Sequence, residues 1–416
     1  MFHRKKDEPI IESLMDIDFY KFTMGQLVFH QYPDVNNVYG LTNRTKKVDL
    51  ANCIDQGQLR EELDHVKTLK FNNSEIHYLR GTNEYGERMF KEDYLQFLVN
   101  LLLPEYYLEK QNGQYRLEFS GDWSYAIYWE TLALAIITQL YSESQSKGLS
   151  HFEEDCIFAE GQKRLAEKIK ILQSRPDITF SDFGTRRRFS RLWQEYVVQV
   201  LAKELPNQFL GTSNTKLAIH LGLIPMGTSA HELFMTDAAL IDNNADGIAD
   251  SQNRVLEKWW QEYGFGLSIA LTDTFGSSFF FHHMTKEQAK KWKGLRQDSG
   301  YPKVFTRRAV EFYEKMGVDP TEKLIVFSDG LDVSSILDIA NYCQNKIRYT
   351  FGWGTNLTND LGLQTLSLVI KVISTNGRGT VKLSDNLAKA IGAPENIARY
   401  IKNCGYHRRY QQELHS

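Results

Sequence analysis

Only four cysteines occur in the 416 residues: Cys53, Cys156, Cys343 and Cys404, far apart and with no CxxC pair. That spacing suggests neither a disulfide framework nor a zinc site, and reduced thiols in a cytoplasmic protein are its simplest account. No apolar run reaches the roughly 18 residues that a membrane span requires. Charge of one sign is not in excess either. With a net charge of −3 and a pI near 6.4, nothing advertises a nucleic acid or an anionic membrane as partner. The opening MFHRKKDEPIIESLMD has basic residues but no apolar stretch behind them, which reads against a secretory signal. No GxxxxGK[ST] is present, so a Walker-type nucleotide fold is not indicated. Low-complexity linkers and internal repeats are also lacking.

What the chain has is apolar mass, 42% of residues, with 12% aromatics. That is enough for a large core and for two substructures. Between Phe180 and Asn356 one pattern keeps returning. A β-branched apolar run ends, and a polar, glycine-bearing cluster follows at once: SDFGTRR (181–187), GTSN (211–214), GTSAHE (227–232), TDTFGSS (272–278), LRQDSGYP (295–302), SDGLD (328–332) and GWGTNLTND (352–360). Helical patterns fill most of the gaps. About seven such strand–loop units predict a parallel sheet with right-handed crossovers, that is, an irregular (β/α) barrel over 126–366 with a binding rim at its strand ends. Residues 12–31 read as one helix, QNGQYRLEFSGDW (111–123) as a hairpin, and YAIYWETLALAIITQLY (125–141) as a buried helix. The tail carries a second hairpin around 376–379. It resembles the N-terminal strands, which predicts a second α+β domain built from 1–125 plus 367–416.

Several rim residues can carry chemistry. His231 follows Gly227, Thr228 and Ser229, whose backbone N–H groups and hydroxyls suit a phosphate. A histidine there can be a phosphoryl nucleophile, with Glu232 orienting it or taking its proton; the alternative is a hydrogen-bonded rim histidine. Asp273, Asp298 and Asp329 each end a separate strand and could hold Mg²⁺ or ribose hydroxyls, with Arg296 clamping phosphate. Arg186, Arg187 and Arg188 crowd a helix start, where cations are disfavoured, so at least one should have an anionic partner. Glu130 is the lone charge in a greasy run and reads as structural. DNNADGIADSQN (242–253) mimics an EF-hand start but has Asn253 in twelfth place and reads as a polar loop. His282 and His283 read as a surface pair.

Taken in order, DFYKFTM, SDFGTRR, GTSN, GTSAHE, TDTFGSS, LRQDSG, SDGLD and FGWGTNL resemble the nicotinate phosphoribosyltransferase family over nearly the whole chain. The resemblance implies a type II phosphoribosyltransferase fold. It also implies a reaction of nicotinate with 5-phosphoribosyl 1-pyrophosphate and Mg²⁺, coupled to ATP through a phosphohistidine, in a cytoplasmic homodimer with composite sites. His231 would be the phosphorylated residue. Phe183 and Arg186 would meet the pyridine ring and its carboxylate, and Tyr20, supplied by a partner subunit beside Asp18, would stack on the other face. Thr212 and Ser213 would complete the ring site. Arg296 and Asp298 would hold ribose and phosphates, and Ser328, Asp329, Gly330, Gly354, Thr355 and Asn356 the 5′-phosphate. Amide-using relatives carry Asp where this chain has Ser213, which favours the acid substrate. The competing readings are a nicotinamide enzyme, a barrel glycosidase using Glu130 with Asp273, and a catalytically silent ligand sensor.

Overall fold

The computed structural model describes residues 4–5, 8–84, 86–241 and 244–406. Two sheets organise it. One is antiparallel, in the order Arg378–Gly379, Leu368–Thr375, Asn36–Asn43, Gln114–Asp122, Tyr106–Gln111. It joins the two ends of the chain, with Tyr39 opposite Val372 and Gly40 opposite Lys371. Its edge hairpin turns through Asn112 and Gly113, at φ 50° and 74°, the backbone that an Asn-Gly pair favours.

The other sheet has six strands, all parallel: Phe209–Thr212, Phe180–Asp182, Arg348–Trp353, Leu324–Phe327, Gly294–Gln297 and Ile269–Leu271 in spatial order. Helices such as Arg191–Glu204, Pro302–Lys315 and Val333–Cys343 connect them. The expected barrel is met only this far, because among the described residues the ladder does not close. Beyond Phe209–Thr212 it continues as a single parallel bridge from Thr212 to Pro225. Proline has no N–H to extend a ladder, and the chain then turns away as the Gly227–Ala230 loop. Gly227 lies against the Tyr20 backbone, where a Cβ would come within 2.9 Å of the Tyr20 nitrogen.

The helix expected over 12–31 begins only at Tyr20. Residues before it spend their polar groups elsewhere: Phe19 N–H donates to Ser213 O (2.7 Å), while Thr215 and Lys216 N–H groups donate to Ile17 and Met15 carbonyls (3.0 and 2.8 Å). Tertiary pairing with the GTSN loop outcompetes helix formation. The rim strands also start later than the apolar runs suggest, so Ser181, Asp182 and Arg296 of the supposed loops are strand residues. The helix Trp129–Gln145 is buried from Trp129 to Ser142, as its composition implies. All four cysteines are free thiols. No helix among the described residues is long and apolar enough to cross a membrane. Asp242 of the EF-hand-like stretch lies outside the described residues, and Asn244 caps the helix Ala245–Tyr263 by accepting from Gly247 N–H. Residues 407–416 of the expected second domain also lie outside them.

Candidate active site

A cavity of about 760 Å³ opens where the strand ends of the parallel sheet meet the antiparallel sheet. Its wall includes Asp18, Tyr20, Phe183, Arg186 and Ser213, the loop residues Ser328, Asp329, Gly330, Gly354, Thr355 and Asn356, and His231, Arg296 and Asp298. Three expected residues are not on the wall. Thr212 is wholly buried and donates to Asp182 Oδ2 (2.7 Å). Asp273 sits behind His231 and accepts from Ser299 Oγ (2.5 Å). Glu232 points away altogether.

His231 is the first residue of the helix His231–Leu240. Its Nε2 lies 3.0 Å from Asp298 Oδ2 and 3.7 Å from Asp273 Oδ1, and its Nδ1 lies 3.0 Å from Thr274 Oγ1. Burial pushes the imidazole pKa down to about 4, Lys382 adds to this, and the two aspartates only partly oppose it. The ring is therefore neutral at physiological pH. Burial resists ionisation of Asp298, but the His231 hydrogen bond and Arg296 hold its carboxyl well below the usual range. This network assigns the proton to Nε2, with Nδ1 accepting from Thr274. Asp298 also accepts from Ser328 Oγ (2.8 Å), which ties the histidine to the SDGLD loop.

Glu232 does not orient His231. Successive helix residues diverge, and its partners are Lys21 Nζ (2.6 Å), Tyr39 OH (3.1 Å) and Trp123 Nε1 (3.2 Å). Lys21 also meets Glu130 Oε2 at 2.7 Å, and Glu130 Oε1 meets Lys371 Nζ at 2.6 Å. Burial opposes the charge on Glu130, yet Lys21, Lys371 and Arg186 hold its carboxyl below its ordinary value. A carboxylate so committed is not the glycosidase partner of Asp273.

The three arginines have three fates. Arg188 is buried and grips Asp16 through two bonds of 2.6 and 2.8 Å. Arg186 brings Nε to 2.7 Å from Asp18 Oδ2, though neither atom has a properly directed hydrogen bond. Arg187 has no side-chain partner among the described residues and lines the cavity; burial, with Arg186 and Arg44 nearby, pushes its pKa down to about 10. Ser213 Oγ donates to Asp18 Oδ1 (2.6 Å). Replacing Asp by Ser here therefore does not empty the corner of carboxylates, because Asp18 remains.

Tyr20 lies in the cavity of its own chain, against the expectation that a partner subunit supplies it. Its hydroxyl donates to Glu130 Oε2 (3.3 Å) and its ring centroid is 5.4 Å from the Arg186 guanidinium. The late start of the helix places it there. Phe183 packs on Gly352, where a Cβ would meet its ring at 2.3 Å. Asn356 spends its amide on Leu331 O (2.9 Å), so it bridges the SDGLD and GWGTN loops.

Sequence reasoning missed several cations on the wall: Arg44, Lys371, Lys382 and Lys389. The C-terminal KLSD (382–385) reaches the TDTFGSS loop, where Asp385 accepts from Ser277 N–H (2.7 Å) and Oγ (2.5 Å). Burial and nearby Asp273 push the Asp385 pKa up to about 7. The one available signal was a short polar motif just after a strand hairpin. For a cation, His231, Asp273 and Asp298 offer atoms within 4.8 Å of one another, the one such group among the described residues. Asp273 Oδ1 is buried without a hydrogen bond. The two carboxylates suit the oxygen preference of Mg²⁺, and the imidazole does not.

Residues 178–410 match the Nicotinate phosphoribosyltransferase (NAPRTase) family, and residues 15–138 its N-terminal domain. Among solved structures, nicotinate phosphoribosyltransferase from Vibrio cholerae is similar at 32% identity and TM-score 0.87, covering 98% of each chain. That from Porphyromonas gingivalis is similar at 29% identity and TM-score 0.84, covering 95% of this chain and all of the other.

Proposed function

This chain belongs to the nicotinate phosphoribosyltransferase family, and from that premise we propose that it makes nicotinate mononucleotide and pyrophosphate from nicotinate and 5-phosphoribosyl 1-pyrophosphate, with ATP hydrolysis coupled through phospho-His231. This is a salvage step toward NAD, carried out in the cytoplasm. One observation carries the reading: a buried histidine held by Asp298 lines the same cavity as Tyr20, Phe183 and Arg186 and as the glycine-bearing SDGLD and GWGTN loops.

The pyridine ring would lie between Phe183 and Tyr20 with its carboxylate toward Arg186. Its nitrogen attacks C1 of the ribose as the C1–pyrophosphate bond breaks. Charge grows on the leaving oxygens while C1 becomes cationic, so the site must neutralise the first and tolerate the second. Arg296 serves the leaving group, and Arg44, Arg187 and Lys389 supply the charge to hold the 5′-phosphate beside Gly330, Gly354 and Thr355. Mg²⁺, held through Asp298 and Asp273 along with substrate phosphates, would supply further charge neutralisation. In the ATP half-reaction the ring proton moves to Nδ1, facing Thr274 Oγ1, which frees the Nε2 lone pair to take the γ-phosphoryl group as its bond to ADP breaks, with Asp298 beside the positive charge that develops on the ring. Phospho-His231 then occupies the site next to pyrophosphate, and its hydrolysis favours product release.

Incubation with γ-labelled ATP tests this. Acid-labile, base-stable label should form on the wild type and be absent from His231→Ala. Equal labelling of both proteins would reject the phosphohistidine assignment.

A further inference from the structure

Lys371 has no part in the scheme above. It is the one charged residue in the strand Leu368–Thr375, otherwise LVI and VIST. It is buried, yet it lines the cavity at the corner of Tyr20 and Arg186. Among the described residues its ammonium has one partner, Glu130 Oε1 at 2.6 Å. An ammonium carries three N–H donors, so two are unspent where leaving them unspent is costly. Glu130 Oε1 is also the oxygen that Arg186 Nη1 approaches, at 3.7 Å. Two cations thus converge on one oxygen at the cavity wall. Glu130 has nothing more to offer them, since Lys21 and Tyr20 occupy its other oxygen at 2.7 and 3.3 Å. Asp18 faces Arg186 Nε without good hydrogen-bond direction. Asp18 Oδ2 apart, the carboxylate oxygens at this corner are already taken, while Lys371 keeps donors to spare.

We propose that Lys371 and Arg186 together hold the carboxylate of the pyridine substrate, and that Lys371 sets the preference for acid over amide. This rests on the nicotinate reading above. A planar carboxylate can give one oxygen to each cation. A carboxamide has a single acceptor and must turn its NH₂ donor toward the other cation, which forfeits a charge-assisted bond and leaves donor facing donor. Lys21 cannot do the same, because Glu130 and Glu232 both hold it in full burial.

The test is steady-state kinetics of Lys371→Met with nicotinate and with nicotinamide at saturating 5-phosphoribosyl 1-pyrophosphate. The KM for nicotinate should rise roughly 10- to 100-fold, the loss of one charge-assisted bond, with kcat little changed. The KM for nicotinamide should stay level or fall, so that the acid preference drops by the same factor. Lys371→Arg should retain the preference. Equal losses on both substrates, or an unchanged preference, would overturn the role of Lys371. If the methionine variant does not fold, Lys371→Gln, which can still donate to Glu130, is read in the same way. A wild type that fails to use nicotinate overturns the underlying reading instead, and the unmutated control reports that separately.

Discussion

Ser213 is where one atom decides most. Its hydroxyl sits 2.6 Å from Asp18 Oδ1, so Ser213→Asp would set two buried carboxylates side by side with Arg186 as their shared cation. Like charges at that distance repel a third from the ligand. The nicotinate KM should rise by about tenfold or more, about 1.4 kcal/mol, while the amide gains. Kinetics on both substrates check it, and an unchanged acid preference counts against the assignment. His231 yields a pH prediction. Its folded pKa, near 4, lies below the ordinary 6.5, so the folded state binds a proton less readily than the unfolded one. Acidification from about 6.5 toward 4 therefore costs stability, and above about 5 the ring stays neutral. NMR titration of the imidazole should show no inflection near 6.5, and the rate of phosphohistidine formation should be flat from about pH 5.5 to 8. At this scale the sequence made residues of the polar loop clusters, such as His231, Asp298, Arg186 and Phe183, legible, because those clusters are marked. It hid Lys371 and Arg44, which stand in strands or at strand ends and become cationic wall only when two sheets meet. It misassigned Glu232, since adjacency in sequence is divergence on a helix.

At the scale of elements, the alternation of apolar runs and polar clusters gave the order of the strands but not their limits. Ser181 and Arg296 look like loop residues and lie in strands. The false helix over 12–19 has the same origin: periodicity reports what a segment could do alone, whereas Phe19 and Asp18 are paired to the GTSN loop. One glycine shows how an element positions a ring. Gly352, in the strand Arg348–Trp353, gives Phe183 its seat. Gly352→Ala should displace the Phe183 ring and raise the nicotinate KM about tenfold, of the order expected when an aromatic contact is lost. ATP-driven labelling of His231 should continue. If labelling fails together with nicotinate use, the substitution has disturbed more than the ring seat.

The whole molecule is built from its two ends closed over its middle. Leu368–Thr375 beside Asn36–Asn43 brings Lys371 to the cavity, and the segment behind it brings Lys382 and Asp385. Tyr20 and Asp18 arrive from the same chain. Phe183 and Tyr20, the two rings proposed to flank the pyridine, therefore line one subunit's cavity, and specific activity should stay constant on dilution from micromolar to nanomolar protein. Activity lost on dilution and regained on concentration would reinstate a composite, two-chain site. The most direct measurement of the central claim is product analysis with the purified wild type. Given nicotinate, 5-phosphoribosyl 1-pyrophosphate, Mg²⁺ and ATP, it should form nicotinate mononucleotide and pyrophosphate in equal amounts, at a rate well above that with nicotinamide. No mononucleotide from nicotinate, or a faster reaction with the amide, would contradict it.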